Sequence, residues 1–66
     1  MYLVTVISDN TLQHAIVFKD FNPAADHADK LILRMKGNYK LPHWQSGENY
    51  THENGTTVTL IPIQVN

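Results

Sequence analysis

The chain contains no cysteine. Disulfides and thiolate metal sites are therefore excluded, although they are common reinforcements of a domain of 66 residues. Glycine and proline are sparse, at three each, and no repeat, linker or low-complexity stretch is visible. No apolar run approaches the roughly 18 residues of a membrane span. The opening MYLVTVISDN lacks a basic stretch and a small-residue cleavage site. No signal peptide is expected, and the cytoplasm is the expected location. Without secretion, the sequons at Asn49 and Asn54 reduce to turn and strand chemistry. The formal net charge of −1 argues against a general polyanion binder.

What is present fits one small globular domain spanning residues 1–66, with 42% hydrophobic residues. A lone chain of this size buries only about 60% of its unfolded surface, so a partner is a natural way to complete it. YLVTVIS at 2–8 is β-branched and aromatic and predicts a strand. Ser8-Asp9-Asn10-Thr11 is a turn cluster, and QHAIVFK at 13–19 predicts the returning strand.

A helix should follow. Asn22 is a candidate N-cap, and Pro23 suits the first helical position, which needs no amide hydrogen. Ala24, Ala28, Leu31, Ile32 and Met35 share one stripe at 100° per residue, with Ala25 at its rim. Arg34 and Lys36 would lie in the last turn, and Gly37-Asn38 would stop the helix. After a loop over 38–47, strands at 48–53 and 56–65 would flank Asn54-Gly55 in a type I′ turn. Pro62 cannot donate a ladder hydrogen bond, which puts the last strand at an edge or a bulge there. The expected fold is α+β: a four-stranded antiparallel sheet in the order β-β-α-β-β, with one helix on one face.

One helix covers one face, yet the strands are apolar on both parities. Val4 and Val6 oppose Leu3 and Ile7; Ala15 and Val17 oppose Ile16 and Phe18; Val58 and Leu60 oppose Ile61 and Ile63. An uncovered apolar face calls for a homodimer or a protein target. Alternatively, Trp44, Tyr39 and the long loop could fold beneath the sheet. Trp44, in LPHWQSG, is either an interface anchor or a core plug. Together with Tyr50, Leu33 and Arg34 it forms the candidate protein-binding set, and Ile61 and Ile63 represent the sheet-face interface.

Other chemistry is thinly represented. Four histidines, His14, His27, His43 and His52, come from different elements without metal-ligand spacing; no metal or other cofactor is expected, and a zinc site assembled in space is the open alternative to surface histidines. No serine or threonine sits in a nucleophile elbow. The acid pairs Asp26/Asp29 and Glu48/Glu53 read as helix-end or strand-surface charges, and a chain this small has little room for a closed pocket of about 300 Å³. An enzyme is not expected. Lys30, Arg34, Lys36 and Lys40 form a basic run with no intervening acid, which would serve a nucleic-acid-binding regulator. The neighbouring acids offset that field.

The stretches YLVTVIS, HAIVFKDF, AADHADKLI and TVTLIPIQV together resemble the plan of small phage-encoded inhibitors of bacterial machinery, such as the T7-type inhibitors of host RNA polymerase. Those inhibitors also run a hairpin, an alanine-bearing helix and a strand with a proline near its end. The last strand here carries Leu60, Ile61 and Ile63 and no basic residue, unlike the arginine-bearing strand of that family. Anti-CRISPR proteins are similar in size and plan. The resemblance implies a compact protein that occludes a surface on a larger bacterial complex; a structural homodimer of a phage particle is the further alternative.

Overall fold

The computed structural model describes residues 1–35 and 40–64. Strands β1 (Tyr2–Ser8), β2 (Thr11–Phe18), β3 (Tyr50–Thr51) and β4 (Thr57–Pro62) form one antiparallel sheet in the order β2-β1-β4-β3. Helix α1 (Phe21–Leu33) lies across one face, and a single 3-10 turn (Trp44–Ser46) follows it. This is the α+β arrangement that the sequence pattern implies.

The helix begins earlier than the capping signal suggested. Asp20, not Asn22, is the N-cap, and its side chain makes no capping bond. Phe21 opens the helix and meets Tyr2 edge-on, with ring centroids 5.4 Å apart. Aspartate is as suitable a cap type as asparagine, and the Phe21–Tyr2 packing favours the earlier start. Pro23 then falls at the third helical position, still within the first turn, where no backbone amide has an intrahelical acceptor. At the other end Leu33 is the last helical residue and Arg34 is the cap, so Lys30, not Arg34, is the basic residue of the last turn. Lys36 and the Gly37-Asn38 stop lie outside the described residues. Ala24, Ala28 and Ile32 are fully buried, with Ala25, Leu31 and Met35 packed around them. The small alanines let the helix approach the sheet closely.

The type I′ turn falls at the first hairpin rather than at Asn54-Gly55. Asp9 (φ 53°) and Asn10 (φ 60°) are both left-handed and link the paired residues Ser8 and Thr11. A two-residue loop of this kind is the type I′ geometry that matches strand twist. At Asn54-Gly55 only Gly55 is left-handed (φ 90°). The Gly55 amide donates to the His52 carbonyl at 2.9 Å and the His52 amide to the Thr56 carbonyl at 2.7 Å. This is a three-residue loop closed by a glycine bulge rather than a type I′ turn. The Asn54 Oδ1 accepts from the Thr56 amide at 2.9 Å, which holds the loop in that form. β3 is accordingly reduced to two residues. It pairs with β4 only at Thr57 and Val58, so β4 is free on that side at Pro62. The proline thus occupies a local edge, as its missing amide hydrogen requires.

The core is made of Val4, Ala24, Ala28, Ile32, Trp44, Tyr50, Val58 and Leu60. All of them lie between the helix and its face of the sheet or close the end of that layer.

Candidate protein-binding face

The strand registers assign every side chain to a face. Towards the helix run the rows Phe18–Tyr2–Pro62, Ile16–Val4–Leu60 and His14–Val6–Val58–Tyr50. Away from it run Val17–Leu3–Ile61, Ala15–Thr5–Thr59 and Leu12–Ile7–Thr57–Thr51. A β-bulge at Gln13 realigns β2, so that Ile7 faces Leu12 and a bulky pair is kept at that end. Beyond the first of the open rows, Met1 and Ile63 continue the ladder, the Ile63 amide donating to the Met1 carbonyl at 2.8 Å.

This open face carries no charged residue in any of its three rows. Leu12 is 58% exposed, Val17 50%, Ile61 45% and Ile7 38%. Trp44 does not reach under it, and Tyr39, the other residue expected there, lies outside the described residues. Its middle row is small, and Thr5 there is buried, its hydroxyl bonded to that of Thr59. The face is therefore a shallow trough running across the strands between two apolar ridges. Leu3 and Ile7, one on each ridge, lie four residues apart along β1, or about 13 Å at strand rise.

The sequence-derived binding set divides among three places. Trp44 and Tyr50 are 7% and 8% exposed and belong to the core, so neither presents a ring to a partner. Trp44 sits there because its indole Nε1 donates to Asp29 Oδ1 on the helix at 2.7 Å. Trp44 also lines a half-open hollow of about 500 Å³ together with Tyr2, Phe21 and Leu60. Leu33 (51% exposed) and Arg34 are on the helix, across the sheet from the open face. Ile61 is on the open face itself, and Ile63 is half-buried just beyond its end. The structure does not gather these residues into one surface.

The basic run is also dispersed in effect. Lys30 Nζ is 3.0 Å from Asp26 Oδ2, an exposed i,i+4 pair that offsets its charge. Arg34 and Lys40 are exposed, and Lys36 lies outside the described residues.

Sequence reasoning missed one juxtaposition. His14 on β2 and His27 on α1 meet with their Nε2 atoms 3.3 Å apart. His27 also packs against Phe18, ring centroids 5.3 Å apart. Burial pushes the His27 imidazole below its ordinary range, and His14, Arg34 and Lys30 add to the effect against an opposing pull from Asp26. Residues 13 apart in sequence on a strand and a helix leave no spacing signal. Only the sheet register, which sets His14 on the helix side, could have revealed the pair.

No family model, no curated protein and no solved structure matches this chain. Among the described residues, no helix is long and apolar enough to cross a membrane.

Proposed function

We propose that the protein is a binding module rather than an enzyme, docking through its open sheet face onto a larger protein. The observation that carries this reading is the charge-free face with Ile7, Leu12, Val17 and Ile61 exposed. Two exposed apolar ridges on one charge-free face are the kind of surface that marks an interaction site. The occupant it fits is a single row of apolar side chains, which the trough can take between ridges whose backbone positions are about 13 Å apart. Resemblance in plan to phage-encoded inhibitors supplies the mode of action: steric occlusion of a surface on a bacterial complex. A second copy of the chain fits less well, because two identical troughs present ridge to ridge and cannot interlock without a shift in register.

Charge substitution tests this reading. Val17→Lys and Ile61→Lys should leave folding unchanged, within about 0.5 kcal/mol as for other surface changes. Both should abolish capture of a defined bacterial target, while Leu33→Asp and Arg34→Glu retain it. Light scattering of the wild type should report a monomer. Capture that follows Leu33 and Arg34 instead would overturn the reading. So would a dimer that the lysine variants dissociate.

A further inference from the structure

We propose that His14 and His27 form a two-histidine clamp for a late first-row transition ion, with Zn²⁺ as the reference case. The clamp lies on the helix side of the sheet, so it is independent of docking by the open face. The geometry is specific. Two Zn–N bonds of about 2.05 Å at the tetrahedral angle set their nitrogens about 3.3 Å apart. The two Nε2 atoms are 3.3 Å apart. A hydrogen bond accounts for the same contact when one Nε2 carries its proton, and titration with Zn²⁺ decides between the two. The rings meet through their Nε2 atoms, the nitrogens remote from the backbone. Both can present lone pairs to one ion while each Nδ1 keeps its proton.

Both ligands sit on regular elements, which fixes their separation better than a loop would. His14 is held in the β1–β2 ladder opposite Val6, and His27 packs its ring on Phe18. Among the described residues no third histidine, cysteine or carboxylate joins them. The remaining positions on the ion therefore fall to water or to a donor from another molecule. Lys30 and Arg34 act on His27 with like sign, which limits affinity, while Asp26 acts in the opposite sense. Imidazole pairs suit zinc, nickel and copper rather than magnesium or calcium, which take oxygen donors.

The test is calorimetric titration of the full chain with ZnCl₂ after chelator treatment, repeated with MgCl₂. The expected result is one saturable Zn²⁺ site per chain and no response to Mg²⁺. His14→Gln and His27→Gln should each weaken it more than about tenfold, at least the loss seen when a supporting residue is removed from a metal site. His43→Gln and His52→Gln should not. Wild-type ¹⁵N spectra provide a readout that needs no variant: the Nε2 resonances of His14 and His27 should shift together with Zn²⁺. Equal weakening by all four substitutions, or shifts confined to His43 and His52, would overturn the clamp.

Discussion

The two faces of this sheet are built from the same four strands, and they differ in what their middle rows hold. Facing the helix, Ile16, Val4 and Leu60 lie side by side, with Val4 fully buried. One residue along, on the other face, the row is Ala15, Thr5 and Thr59. Strand propensity does not separate these rows, since valine, isoleucine and threonine all favour the pleated sheet. Side-chain size and polarity do. The helix face carries the buried core residues, whereas the open face keeps apolar bulk only at its two ends and closes its centre with a threonine pair. A sheet can thus stabilise the domain with one side and offer a shaped surface with the other.

The sharpest way to break that contrast is to truncate one residue from each face. Ile32→Ala empties a fully buried site against the sheet and should cost about 2–5 kcal/mol in urea unfolding. For a domain of this size that approaches the whole stability. Val17→Ala on the open face should cost less than about 0.5 kcal/mol, as a surface change does. Comparable losses would mean that both faces are covered in solution.

A smaller effect sharpens the boundary between core and interface at Trp44. Trp44→Phe keeps an aromatic ring but removes the donor to Asp29. The expected loss is about 1.5–3 kcal/mol, typical of a hydrogen bond to a charged group. Asp29→Asn retains an acceptor oxygen and should cost much less. Equal losses from the two would place the energy in the carboxylate charge rather than in the bond.

The smallest effect concerns the edge where β2 meets the helix. Because the folded His27 titrates below its usual range, protonation favours the unfolded chain. In chelator, stability should be full above about pH 6.5, the ordinary histidine value, and should fall as pH drops through the lowered folded value. His27→Gln should flatten that slope. An unchanged slope in the variant would assign the pH dependence to other groups.

Much of the fold was legible in the sequence because local pattern and tertiary packing agree. The alanine stripe ending in Ile32 marks the buried helix face, and the double parity of the strands marks the uncovered side. Departures arise where a contact selects between local alternatives. Phe21 packs on Tyr2 and starts the helix ahead of Asn22. Asn54 caps its own loop and converts the expected two-residue turn into a bulged one. The candidate site was legible only in part. Ile61 follows from parity, but Trp44 is as suitable for a core as for an interface, and its burial depends on Asp29, which is 15 residues distant. The His14–His27 meeting depends on register and helix placement together, and neither leaves a spacing signature.

The central claim is that the open sheet face is where a partner sits. The most direct measurement places a photo-crosslinking residue at Val17, Ile61 or Leu33 in turn and exposes each variant to bacterial extract. The account predicts a discrete adduct of one larger protein from Val17 and Ile61, competed away by unlabelled wild type and absent from Leu33. An adduct from Leu33 alone, or only self-adducts from the open-face positions, would contradict it.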